Sequence, residues 1–285
     1  MNWTDGLHKP ISAAGDLIMA SLAIDTAETL GSTLGSRPAP AEWNRKGVNA
    51  ASALEPVVFL PGLLCDQSLW RQQVHALSDV AAPMIADLTL DDTIGAMAER
   101  TLAAAPRRFS LAGLSMGGYV ALEIMRRAPE RVSRLALINS SARSDTPERS
   151  RQRQAGIESL RRGKFVGITH RLLGELVHAD NTVGPVADEM RGMASRVGGD
   201  AFIRQQHAIM TRPDSLDSLH AIRVPTMVVV GDGDRITPPD HAREIHERID
   251  GSSFHTIGAC GHMAALEHPE QVNFLLRGWL QRSAA

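Results

Sequence analysis

The segment Gly113-Leu114-Ser115-Met116-Gly117 sets a serine between two glycines, each two positions away. The spacing has a steric meaning. A strand that turns at once into a helix brings backbone against backbone, and small residues at those two positions let it do so while the serine is pushed into the open. A serine hydroxyl is a poor nucleophile at neutral pH, so acyl transfer at Ser115 needs a base within hydrogen-bond reach and a third group to fix that base's tautomer. Among the 11 histidines, His262 stands apart: it lies in Gly258-Ala259-Cys260-Gly261-His262, beyond the last apolar run, and completes the chain order serine, acid, histidine. The acid comes from Gly231-Asp232-Gly233-Asp234. Asp234 is favoured, Asp232 reads as a turn-former bonding its own backbone, and Asp240 after Pro238-Pro239 reads as a helix-start residue.

Acyl transfer also needs donors aimed at the developing oxyanion. Two backbone N–H groups can serve: Met116, at the start of the helix after the serine, and Leu63, after Pro61-Gly62 in the loop that follows the first apolar run.

These residues need a scaffold of alternating strands and helices. Short apolar runs predict strands at Val57–Leu60, Pro83–Ala86, Phe109–Ala112, Leu135–Ile138, Met227–Val230 and Ser253–Ile257, with those at Val57, Leu135 and Met227 buried. Helical spacing marks Gln67–Leu77, Thr93–Ala104, Tyr119–Arg127 and Glu270–Leu280. The alternation argues for a mostly parallel sheet covered on both faces. Residues 142–220 break the rhythm with helical, polar stretches and no strong strand, so a helical lid inserted after Ile138 is expected there. Residues 1–55 are rich in Ala, Gly, Ser and Thr without sustained periodicity and read as a poorly ordered N-terminal extension to a domain over 56–285.

The 30 basic and 32 acidic residues nearly cancel, leaving a formal charge of -2 and no basic field to draw nucleic acid or anionic lipid. No stretch reaches the roughly 20 apolar residues that span a bilayer. Two cysteines, Cys65 and Cys260, suit a reducing cytoplasm and read as small reduced side chains packed under loops. His170, His178 and His207 are expected at the surface of the lid. The run Arg149, Arg151, Arg153, Arg161 and Arg162 reads as a solvated helix face, with a pocket for a substrate carboxylate as the weaker alternative.

Taken together, FLPGLLCDQSLW, LAGLSMGGYVALEIMRRAPERVSRLALINS, PTMVVVGDGDRITPP and IGACGHMAALEHPEQVNFLLRGWL resemble the α/β-hydrolase superfamily, in its lidded esterase and carbon–carbon-bond hydrolase branch, over about Pro56 to Leu280. The resemblance implies Ser115, Asp234 and His262 as catalytic triad and the Leu63 and Met116 backbones as oxyanion hole. Departures are visible too. Pro61-Gly62 stands where many members have His-Gly, Asp87-Leu88-Thr89-Leu90 replaces an Arg-Gly-His-Gly type loop, and no opening hairpin precedes Pro56, so six or seven strands are expected rather than eight.

The expected activity is hydrolysis of a small or medium ester, thioester or lactone through an acyl-Ser115 intermediate, with no metal or organic cofactor and a small molecule as partner. Carbon–carbon cleavage of a ring-fission diketone by the same triad is the enzymatic alternative. A ligand-binding protein on the same fold is the non-enzymatic one, disfavoured because a binder has no need of all three residues. Oligomeric state is not fixed by the sequence.

Overall fold

The computed structural model describes residues 54–282 other than 164 and 166. The N-terminal extension expected over residues 1–55 lies outside them save for its last two positions, and Glu55 already opens the first strand. Its carboxylate explains the early start: it accepts the Ser110 and Ser133 hydroxyls at 2.7 and 2.8 Å and pairs with Arg134 at 2.9 Å.

Strand β1 (Glu55–Leu60) is followed by a 3-10 turn at Gln67–Trp70, helix α1 (Arg71–Ala76), β2 (Ala81–Ile85), α2 (Ile94–Ala104), β3 (Phe109–Leu114), α3 (Met116–Arg127) and β4 (Val132–Ile138). Then come α4 (Pro147–Arg162), α5 (His170–Leu176) and α6 (Pro185–Met210), all between β4 and β5 (Thr226–Gly231) and within the span expected to form a lid. The chain closes with α7 (Pro239–Arg248), β6 (Ser253–Ile257), α8 (Ala264–Glu267) and α9 (Pro269–Gln281).

The strands form one six-stranded sheet in the order β2-β1-β3-β4-β5-β6, with every neighbouring pair parallel. The alternation of side chains along each strand feeds two cores. Val57, Phe59, Ala112 and Leu114 join Trp70, Leu276 and Trp279 on one face, while Val58, Leu60 and Leu111 join Met97, Ile124 and Ile245 on the other. Strand order reverses between β1 and β3. In parallel sheets the crevice beyond the strand ends at such a reversal is where ligands bind, and the loops carrying Leu63 and Ser115 leave the sheet there.

Three elements differ from expectation. The helix read over Gln67–Leu77 is split, because the Asp66 carboxylate caps the Ser68 N–H and starts a tighter turn before α1. Helix α6 is far longer than the short helical stretches expected across residues 142–220, and it crosses a kink at Gly198 whose φ of 79° only glycine adopts freely. Of helix α7 only the start was read, at Asp240; the rest of its sequence is dominated by charge, and only Ala242 and Ile245 are buried. No described helix is long and apolar enough to cross a membrane.

Candidate active site

Ser115 sits at φ 55°, ψ −116°, a conformation costing a non-glycine residue on the order of 1–3 kcal/mol. Its neighbours show why the turn holds. A Cβ at Gly113 would lie 2.4 Å from the Gly117 carbonyl oxygen, and one at Gly117 would lie 2.1 Å from the Leu60 carbonyl oxygen. The third glycine, Gly118, lets α3 pass the Ser140 side chain, whose hydroxyl donates to the Ser115 carbonyl at 2.9 Å.

The serine so presented meets the predicted partners. Ser115 Oγ is 2.8 Å from His262 Nε2, and His262 Nδ1 is 2.9 Å from both oxygens of Asp234. All three side chains are buried. A carboxylate only accepts, so Nδ1 carries the imidazole proton and the Nε2 lone pair faces the serine hydroxyl.

Asp234 is held from every side. Ile236 and Thr237 N–H groups donate to Oδ1 at 2.8 and 3.0 Å, and Thr237 Oγ1 and Asn139 Nδ2 donate to Oδ2 at 2.9 and 2.8 Å. Burial alone would raise its pKa, but the facing His262 and these donors outweigh burial and bring it to about 2. The folded value lies below the ordinary carboxyl value, so this stabilisation is complete above the unfolded pKa and is lost as pH falls through the folded one. The expected loss is about 2 kcal/mol between about pH 5 and about pH 2. Acid unfolding followed by circular dichroism should show that loss in the wild type and not in Asp234→Asn; parallel curves would assign it to other carboxylates.

Sequence reading missed Asn139. It follows β4 at a positive φ of 46°, a conformation asparagine tolerates, and also donates to the Gly261 carbonyl at 3.1 Å. The histidine loop has a second clamp in Glu267, whose carboxylate accepts the N–H groups of Gly261, Met263 and His178 at 3.0, 3.0 and 2.7 Å. Asp232 departs from expectation: it accepts from Ala259 and Cys260 N–H at 3.1 Å each, so it ties the histidine loop to β5 and does more than shape its own turn. Asp240 stands in the first turn of α7, as read.

The Met116 N–H opens α3 directly behind the serine, where the helix N-terminus adds its partial positive charge. The other predicted donor is nearby: a Cβ at Gly62 would be 3.5 Å from that of Ser115. Neither the Leu63 nor the Met116 N–H has a backbone acceptor among the described residues. The loop is pinned by Gln205, which accepts from Leu64 N–H at 3.0 Å and donates to the Leu88 carbonyl at 3.1 Å. Nothing in the sequence marks Gln205, one of two adjacent glutamines deep in α6.

A cavity of about 280 Å³ lies over Ser115 and His262, walled by apolar side chains such as Leu63, Leu172, Leu176, Met190, Met193 and Phe202. A second, of about 330 Å³, touches neither residue. The histidines His170, His178 and His207 line neither cavity. Arg151, Arg161 and Arg162 are exposed, as a solvated face requires, whereas Arg149 and Arg153 are half-buried on the wall of the serine's cavity and correct that reading. Both cysteines are free and buried, and burial pushes the Cys65 thiol up to about 12 and raises that of Cys260 as well, which keeps both protonated. Among the described residues no cluster of His, Cys, Asp and Glu is arranged to hold a metal ion.

The sequence model of the alpha/beta hydrolase family matches residues 57–273. This chain belongs to that family. The hydrolase is similar to a pimeloyl-[acyl-carrier protein] methyl ester esterase of Neisseria meningitidis serogroup A, with 30% identity over 185 residues that cover 59% of this chain and 56% of the relative's length. It is also similar to a putative carbamate hydrolase, RutD, of Rhizobium rhizogenes, with 28% identity over 235 residues, 76% of this chain and 89% of that protein. Among solved structures, a thermophilic esterase from Thermogutta terrifontis with malate bound superposes with a TM-score of 0.73 at 28% identity, over 81% of this chain and 91% of that one. The chain is thus an enzyme of the α/β-hydrolase fold.

Proposed function

We propose that this hydrolase cleaves small or medium carboxylic esters, thioesters or lactones through an acyl-Ser115 intermediate. The observation that carries the reading is the continuous relay from Ser115 Oγ to His262 Nε2 at 2.8 Å and from His262 Nδ1 to Asp234 at 2.9 Å, opening into an apolar cavity of about 280 Å³. A cavity that size is at the small end for ligand sites, which argues for a modest acyl or alcohol group.

In this reading His262 takes the serine proton as Oγ attacks the carbonyl carbon, and the tetrahedral oxyanion is held by the Leu63 and Met116 N–H groups. His262 then gives its proton to the leaving oxygen or sulfur, and a water activated by the same imidazole releases the acid. Asp234 stays ionised throughout and steadies the imidazolium. The helices α4 to α6 serve as the lid that sets substrate size, and the buried thiols suit a reducing, cytoplasmic setting. The ester-cleaving relatives support this choice of bond.

Turnover of a panel of p-nitrophenyl esters from acetate to octanoate tests it. Hydrolysis with a chain-length optimum in the shorter half is expected. A folded protein inert on the whole panel would move the reading to carbon–carbon cleavage of a ring-fission diketone, which Arg149 and Arg153 on the cavity wall would suit by meeting a substrate acid group.

A further inference from the structure

Helix α4 places Arg149, Gln152 and Arg153, three and four residues apart, along one side of the cavity over Ser115. Tyr119 from α3 and Gln206 from α6 line the same cavity. Arg153 Nε donates to the Asp145 carboxylate at 2.6 Å, and its Nη1 donates to Gln206 Oε1 at 2.8 Å. Asp145, its side chain fully buried, is shared with Arg212, whose Nη1 is 2.8 Å away and whose guanidinium lies 4.2 Å over the Tyr119 ring. Two guanidiniums thus face one carboxylate, leaving one positive charge over.

Arg149 adds a second. It donates to the Ile236 carbonyl at 2.6 Å and has no carboxylate at ion-pairing distance among the described residues. Arg153 Nη2, Gln206 Nε2 and Tyr119 Oη also lack protein acceptors among these residues, and none of the three is sealed from solvent-sized space. Cations held in a half-buried, otherwise apolar cavity are costly unless an anion meets them, and a guanidinium's planar fork fits a carboxylate through paired hydrogen bonds.

We infer that this corner is a carboxylate subsite: the substrate carries, besides the bond cleaved at Ser115, an anionic carboxylate received by Arg149 and Arg153 with Gln206 and Tyr119. The inference rests on the ester-hydrolysis reading for the reaction, but not for binding.

Monomethyl esters of dicarboxylic acids of about four to eight carbons put the carboxylate on the acyl side, and acetyl esters of hydroxy acids put it on the leaving side. Each is compared with its neutral carboxamide. The anionic member of one series is expected to be preferred at least about tenfold in kcat/KM, and that ratio to fall about tenfold in Arg149→Gln and in Arg153→Gln. Arg149→Gln breaks no ion pair and keeps the test open should Arg153→Gln fail to fold. Calorimetric titration of adipate into Ser115→Ala, with and without Arg149→Gln, reads the subsite without turnover. Binding weakened about tenfold by Arg149→Gln supports the subsite even if no ester is cleaved, an outcome that removes only the hydrolysis reading. Equal turnover of anionic and neutral esters in both series, or a ratio and an adipate affinity unmoved by Arg149→Gln, would overturn it.

Discussion

Ser115→Ala and His262→Ala are each expected to lower ester turnover by about 10⁴- to 10⁶-fold, and the double variant is expected to fall no further than the worse of the two. The reason is that in the proposed mechanism Ser115 Oγ and His262 Nε2, 2.8 Å apart, act as one unit. Without the base the hydroxyl keeps its proton, and without the hydroxyl the base has nothing to activate but water. What survives comes from the donors at Leu63 and Met116 and from substrate positioning, which neither variant touches. Steady-state kinetics of the three variants decide the matter, with thermal melts alongside because His262→Ala strips the buried Asp234 of its imidazole partner while leaving the donors from Asn139 and Thr237. Losses that multiply in the double variant would mean that the two residues act independently, and the acyl-serine mechanism would fall with that result.

Much of this site was legible because its constraints are local. Gly113 is demanded by a close approach within its own turn and Gly117 by the approach of α3 to the end of β1, and each apolar run that ends in a functional loop is a parallel strand. The order of Ser115, Asp234 and His262 along the chain then follows the order of the strands that carry them. What escaped depends on contacts distant in sequence. Asn139 touches Asp234 across 95 residues and Gln205 holds Leu64 across 141, and neither residue type at those positions announces a partner. Glu267 was similarly hidden: a short helix turns it back onto the loop that holds His262. The arginines of α4 show the same limit from the other side. Their spacing reveals a helix with a charged face, but only the packing of α4 against α6 separates Arg149 and Arg153, which face the cavity, from Arg151, Arg161 and Arg162, which face water.

The largest stability effect is expected from the smallest substitution. In Gly117→Ala the new methyl would lie 2.1 Å from the Leu60 carbonyl oxygen and 2.6 Å from its carbon, both main-chain atoms at the end of β1. No rotamer change relieves that overlap. Leu60 is paired with Gly113 in the sheet, so either α3 must lift away from β1 or the β1–β3 ladder must yield. Each route also moves Ser115 relative to His262. A cost of about 4 kcal/mol or more is expected, lowering Tm by roughly 10 °C, with turnover lost in whatever protein folds. The control is Gly156→Ala in α4, where a Cβ would meet nothing within 4 Å. There the substitution should gain about 0.5–1 kcal/mol, because alanine favours the helix and loses less backbone entropy on folding. Opposite signs for one chemical change, read from two melting curves, would establish that the close approach of α3 to β1 sets the turn at Ser115; a Gly117→Ala protein as stable as the wild type would show that the turn does not depend on it.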